Sequence, residues 1–409
     1  MSSPTLRALA IAAAALSAGV VLRAAAQTAD PPTGAWRRAI DAAWQRSVLA
    51  AEAGGQRRSA LAERTAASST WAGSPSFEFD QLRKRQAGTG SRETEVGIAL
   101  PLWLPGQRDA RLAAADAQAA AAAAATDAAR LQLARSVVDA AAAVWAQRAE
   151  AEAAEVQARE LDALAQDVAR RVKAGDLARA DALAADAEQL ASQDALSRAT
   201  LQRQNAEARW TALTGLATLP PPPPPQEPPP ARLHATHPLL QEATARLALA
   251  HKRLDAVRLS RRDAPELVVR AHQEVGGGEP DTRGIGVALR IPLATAGRNE
   301  ALLGAALAEV ELAEAHEAGL RRELELEQAA AEREAEASRR QAGHEATRAR
   351  LLRERAALIQ KSFDAGQTPL PETLRALSQA AQAEAASRRQ AVAAALAALR
   401  VELARGLMP

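Results

Sequence analysis

Six histidines, His234, His237, His251, His272, His316 and His344, are among the side chains here that can ligate a metal or relay a proton. Only His234 and His237 are close, and they end a proline-rich stretch, where His237 before Pro238 reads as the residue opening a helix. His272 falls on the polar side of an alternating segment, from which it could touch a cation. There is no cysteine, which excludes a thiolate metal site, a cysteine nucleophile and a disulfide framework. Carboxylate pairs such as Glu323 with Glu325, and Glu332 with Glu334, are two apart on a helix and do not face each other. No phosphate-cradling P-loop, G-x-S-x-G elbow or G-x-G-x-x-G turn stands in a strand-turn-helix setting. The sequence therefore holds no catalytic constellation, no metal site and no cofactor site, and an enzyme is not expected.

The elements around these residues follow from composition. The chain has 409 residues, 48% hydrophobic and 2% aromatic, with no tyrosine, and roughly a quarter of it is alanine, a strong helix former with little side chain to bury. That suits long helices better than one thick core. The formal charge of +2 vanishes when the first 26 residues are removed, because Arg7 and Arg23 leave with them. A near-neutral chain makes no electrostatic case for nucleic acid.

Residues 1–26 read as a signal peptide: Arg7, an apolar run from Ala8 to Leu22, then Arg23 and Ala24-Ala25-Ala26 before Gln27. No later stretch reaches eighteen uninterrupted apolar residues, so any membrane span of the exported chain must be built from strands.

One internal offset recurs. Pro101-Leu102 returns as Pro292-Leu293, Gly106 as Gly297, Ala174-Gly175 as Ala365-Gly366, Leu183 as Leu374 and Gly215-Leu216 as Gly406-Leu407, each 191 positions on. The expected organisation is a first repeat over 27–219, a stiff proline-rich linker over 220–236 and a second repeat over 237–409. Each repeat has a moderate helix (Trp36 to Thr65; Pro238 to Arg261), two short strands, a very long helix, a tight turn and a shorter returning helix.

The strands alternate. Phe77 and Phe79, then Val96, Ile98, Leu100 and Leu102, are apolar between charged or small neighbours. Leu267, Val269 and Ala271 alternate with Glu266, Val268, Arg270 and His272, and Ile285, Val287, Leu289 and Ile291 with Gly284, Gly286, Ala288 and Arg290. Turn-rich spacers from Arg83 to Gly90 and from Val275 to Gly284 make two hairpins. Four strands leave two bare edges and cannot close a barrel. Their alternation matches outer-membrane barrel strands, apolar toward lipid and polar toward water, so closure requires several copies of the chain.

From Arg108 to about Val172 neither Pro nor Gly interrupts a helix of roughly 100 Å, and a second runs from about Arg298 to Phe363. Lengths of this order suggest coiled-coil packing, with alanine filling most seam positions. Each ends on a glycine, Gly175 or Gly366, suited to the left-handed C-terminal position, and Asp176 or Thr368 can cap the returning helix, with Pro369 in its first turn.

With these residues in view, the chain resembles the TolC-like outer membrane efflux protein family. The resemblance covers essentially the whole chain after the signal segment. It is carried by His237-Pro238, by the strand-to-helix stretches Gly97 to Arg108 and Gly286 to Arg298, and by the tips Ala174-Gly175-Asp176-Leu177 with Asp181-Ala182-Leu183 and Ala365-Gly366 with Glu372-Thr373-Leu374. No one motif is specific; their duplicated order is. The fold it implies is mainly α with a small β part: a homotrimer with a twelve-strand barrel in outer-membrane lipid and a twelve-helix tunnel through the periplasm. The implied partners are a periplasmic adaptor (membrane fusion) protein and an inner-membrane pump. The implied adaptor-contacting residues are Ala174, Gly175, Asp176 and Leu177 in the first tip and Ala365, Gly366, Gln367 and Thr368 in the second, two tips that differ in sequence. The family's polar ring at the tunnel mouth would draw on Asp181, Asp364 and Glu372, though a solvated helix face is the favoured reading of each. Only Trp71, Trp103 and a few phenylalanines are available for an aromatic girdle.

The expected function is a passive trans-periplasmic duct of a tripartite export system. Two other readings compete: a periplasmic adaptor, which should carry a single hairpin flanked by a lipoyl-like and a small barrel domain, and a coiled-coil scaffold without a pore, which leaves the strand alternation unexplained.

Overall fold

The computed structural model describes residues 32–86, 89–222, 236–260, 262–276, 280–293 and 296–409. The signal-peptide segment 1–26 and most of the 220–236 linker lie outside the described residues. In chain order the elements are α1 (Pro32–Arg46), α2 (Val48–Ala67), β1 (Ser76–Gln86), β2 (Thr89–Pro101), α3 (Gln107–Ala174), α4 (Arg179–Thr214), α5 (Pro238–Leu259), β3 (Glu266–Gly276), β4 (Thr282–Arg290), α6 (Ala296–Asp364) and α7 (Leu370–Ala404). The protein is mainly helical with one small antiparallel sheet.

Three expectations are corrected. The helix expected from Trp36 to Thr65 is two helices, divided at Ser47, whose hydroxyl donates to Trp44 O at 2.8 Å and accepts from Ala50 N at 3.2 Å. A side chain that captures a backbone donor in this way starts a new helix. The spacers Arg83 to Gly90 and Val275 to Gly284 are shorter than expected, because β1 runs to Gln86, β2 starts at Thr89, β3 runs to Gly276 and β4 starts at Thr282. Arg83, Lys84, Arg85 and Arg283 belong to the ends of strands reaching past the apolar zone rather than to turns. Neither Asp176 nor Thr368 caps a returning helix: the cap positions are Ala178 and Pro369, which offer no capping side chain.

The sheet has the order β1-β2-β3-β4, every neighbour antiparallel. Its register stacks Phe77, Ile98, Val269 and Val287 in one rung and Phe79, Val96, Ala271 and Ile285 in the next, with Leu100, Leu267 and Leu289 in a third. Most of these side chains are exposed, Ile285 by 83%, Val287 by 70% and Phe77 by 69%, while Leu100 and Leu267 are half-buried. The opposite face is polar. Arg270 joins Glu95 at 3.2 Å and Glu78 at 3.5 Å, His272 meets Glu93 at 3.4 Å, and Lys84 meets Glu93 at 2.9 Å.

The helices form a layer beside and beyond the sheet. Next to the sheet, α3 lies between α2 and α5, and α5 packs against α6. Farther away, α3 lies between α4 and α7, and α7 packs against α6. The largest core gathers Trp36, Ala39 and Ile40 of α1, Leu131, Val137, Val144 and Trp145 of α3, Trp210 of α4 and Leu399 and Leu403 of α7. Elsewhere alanines fill the seams, Ala376, Ala380 and Ala383 of α7 among them. Each alanine buries little area, so cohesion accumulates along the length.

Polar clamps cross these seams. Arg353 of α6 donates to Glu160 of α3 at 2.7 Å and forks onto both carboxylate oxygens of Glu384 in α7. Bidentate pairing holds the guanidinium firmly protonated. Arg353→Met should cost about 1–3 kcal/mol, less than a fully buried pair because all three groups keep some water. Thermal unfolding of the detergent-solubilised protein reads the loss, and adding Glu384→Gln should recover part of it. An unchanged midpoint in Arg353→Met would show the clamp to be ornamental.

The start of α5 is pinned to the chain's end. His237 is fully buried, its Nδ1 accepts from Leu239 N at 3.2 Å, and Gly406, at φ +79°, leaves no room for a side chain against it. Burial, then the nearby Arg135 cation, pushes the imidazole below the usual histidine range. The unfolded chain takes up this proton as pH falls through about 6.5, while the folded chain resists until lower pH. The stability His237 contributes is therefore complete above that value and declines as pH drops below it. His237→Asn, which keeps a cap acceptor, should flatten the fall in unfolding midpoint between pH 7 and 5; an unaltered slope would assign the pH response to other groups.

Candidate functional site

The two helical tips sit side by side at the end of the helical layer remote from the sheet. Each long helix closes on a glycine with positive φ, +89° at Gly175 and +75° at Gly366. Gly175 N donates to Val172 O at 3.1 Å and Asp176 N to Arg171 O at 2.8 Å. Gly366 N donates to Phe363 O, and Gln367 N to Ser362 O, both at 2.9 Å. This double bond pattern satisfies the last carbonyls of a helix and turns the chain sharply, which is why glycine stands at both places.

Ala174, Gly175 and Asp176 are exposed, as are Ala365, Gly366 and Gln367. Leu177 is half-buried and packs with Leu161, Leu164, Val168, Phe363 and Leu370 in a cluster shared by both tips. Thr368 is also half-buried, its hydroxyl bonded to Ser362 Oγ at 2.6 Å. The surface available to a partner is therefore the two turns, while Leu177 and Thr368 brace them from beneath.

The three polar residues have separate places. Asp181 Oδ2 accepts from Ala178 N at 3.2 Å, so its carboxylate closes the start of α4. Only this half of a capping box can exist, since Ala178 has no side-chain acceptor. Glu372 occupies the corresponding third position of α7 and is exposed. Asp364, also exposed, accepts from Gln360 at 3.0 Å and faces Arg171 at 3.6 Å.

Arg171 is the residue that sequence reading missed. It pairs with Asp167 at 2.8 Å, donates to Phe363 O at 3.2 Å, and lies over the Phe363 ring at 4.9 Å from its centroid. One side chain thus ties the end of α3 to the end of α6. The 191-residue offset pairs it with Ser362, so the tie exists in one repeat only. The Asp167-to-Arg171 spacing was visible, but a contact across the repeats was not.

On the sheet, His272 meets Glu93 and stands in one rung with Asp80, Glu95 and Gly284. Among the described residues no group of three or more His, Cys, Asp or Glu could hold a metal ion. No described helix is long and apolar enough to cross a membrane.

Residues 47–216 match the family model described as outer membrane efflux protein. A comparison with curated proteins finds no match. Solved structures share the architecture. The outer membrane protein VceC of Vibrio cholerae superposes with a TM-score of 0.72 at 17% identity, over 91% of this chain and 96% of that one. The CmeC outer membrane channel of Campylobacter jejuni gives 0.75 at 14% identity over 91% and 85%. The open-state MtrE outer membrane channel of Neisseria gonorrhoeae gives 0.70 at 18% over 91% and 89%. This family and these neighbours are channel proteins rather than enzymes. Residues 47–216 carry the likeness to the outer membrane efflux protein family, and the chain as a whole has the fold of these outer membrane channels.

Proposed function

We propose that three copies of this chain close into a twelve-strand barrel in the outer membrane, continued by a twelve-helix tunnel in the periplasm. The assembly is a passive duct for solutes delivered by an inner-membrane pump and a periplasmic adaptor docked at the tips, after export of the chain on its signal peptide. The observation that carries this reading is that the described residues leave two bare edges at every level. In the sheet they are β1 and β4. In the helices beside it they are α2 and α6, and farther down α4 and α6.

The lower edges carry matching apolar stripes. Leu183, Leu190 and Leu201 of α4 are 61%, 61% and 57% exposed, and at 100° per residue they fall on one side of the helix. Leu326, Leu351 and Leu358 of α6, 70%, 54% and 61% exposed, do the same. Joining α4 of one copy to α6 of the next, and β4 to the next β1, is a head-to-tail contact that closes as a ring. The exposed rungs of the sheet then face lipid and the charged face lines water.

The test is the assembly and its conductance. Purified protein in detergent should have the mass of a trimer by light scattering, and should give discrete conductance steps in planar bilayers. A monomer in plain buffer, with its sheet satisfied internally, would overturn the reading.

A further inference from the structure

Four of the six tryptophans, Trp36, Trp44, Trp145 and Trp210, lie in or against the largest core. The other two, Trp71 and Trp103, are half-exposed. They wall a cavity of about 610 Å³ where the sheet gives way to the helices, together with Ser69, Arg111 and Arg253. Small organic ligands occupy cavities of this order.

The wall is pre-arranged. Trp103 Nε1 donates to Ser69 O at 3.1 Å, which fixes the indole, and the Arg111 guanidinium lies 5.2 Å from the ring centroid. Arg253 is held by Gln118 at 2.7 Å and Glu309 at 2.6 Å. Among the described residues no carboxylate pairs with Arg111. The lining has two guanidiniums against one carboxylate, Glu63.

The cavity and α1 lie on different sides of the helical layer. Helix α1 meets α3 at Arg130, which is 3.8 Å from Asp41 and 5.2 Å from the Trp44 ring, and at Trp145, whose ring meets Trp36 edge-on at 5.7 Å. Arg111, Ala114, Ala115 and Gln118 of α3 line the cavity, turned about 140° from that side at 100° per residue. In a closed tube α1 must be outside, since inside it would fill the passage. The cavity then opens on the inner wall, and three copies place six indoles at one level.

We propose that this wall is a transient binding station for planar aromatic solutes carrying a negative charge. The indoles stack on the ring and Arg111 pairs with the anionic group. The inference rests on the duct reading and gives it a cargo class.

The probe is 1-naphthoate. In planar bilayers of the full-length protein it should block current. Block should weaken about tenfold, one stacking or charge contact's worth, in Trp71→Leu with Trp103→Leu and in Arg111→Gln. Neutral 2-naphthalenemethanol should block wild type and Arg111→Gln alike. Arg111 is exposed, so its variant keeps the fold even if the double variant does not. Channels that 1-naphthoate leaves open, or blocks equally in Arg111→Gln, overturn the station and leave the duct standing. If no channel forms, the duct reading falls instead. Equilibrium dialysis of 1-naphthoate against the detergent-solubilised protein then decides the station: weaker uptake by Arg111→Gln supports it and equal uptake overturns it.

Discussion

Ile98→Arg should lower the stability of the proposed barrel by about 2–4 kcal/mol, the cost of a guanidinium near the middle of a lipid face. Ile98 is 49% exposed and shares a rung with Phe77, Val269 and Val287, flanked by the rungs of Val96 and of Leu100. An arginine there has apolar rungs on both sides and must stretch toward a headgroup to stay solvated. Val287→Arg should behave similarly. Ala99 looks like a tolerant control from its place in the alternation, but it is only 3% exposed, so an arginine there would overpack. Ser76, its exposed neighbour in the same rung, is the proper control. Urea unfolding in detergent or liposomes makes the comparison; equal loss in Ile98→Arg and Ser76→Arg would mean the lipid and water faces are assigned backwards.

Gly175→Pro and Gly366→Pro should each abolish export while trimers still assemble. Both glycines have φ near +80°, at +89° and +75°, whereas proline is fixed near −65° and lacks the N–H that closes each turn, a local cost of about 3 kcal/mol or more. The damage stays local, because α3 is 68 residues long and puts about 100 Å between tip and sheet. Asparagine tolerates the left-handed region, so Gly175→Asn should retain most export. Cargo efflux from cells lacking their own duct, read beside native gels of extracted trimer, separates the two effects. Loss of trimer in the proline variants would show that the tips also direct assembly.

The long helices were legible because nothing in Arg108 to Val172 can stop a helix, and the observed α3 exceeds that span by only one or two residues at each end. Strand alternation was legible for the same local reason. Strand length was not: Arg83, Lys84 and Arg85 look like a turn until it is seen that β1 continues beyond its apolar rungs to Gln86. The break at Ser47 hid among helix formers, since a lone serine announces a cap only when its hydroxyl takes a backbone donor. The tip glycines could be read from sequence, whereas Arg171 and Arg353 could not. Their partners Phe363 and Glu160 lie about 190 positions away, and only the side-by-side run of the two long helices brings them within reach.

The two bare edges come from different halves of the chain: β1, α2 and α4 from the first, β4 and α6 from the second. A subunit damaged along just one flank would keep the other intact and could still be recruited. It would then occupy a place in the proposed ring and leave a seam that nothing can seal. Lesions of that kind should poison assemblies made with healthy subunits, and co-expression would expose them more sharply than expression alone.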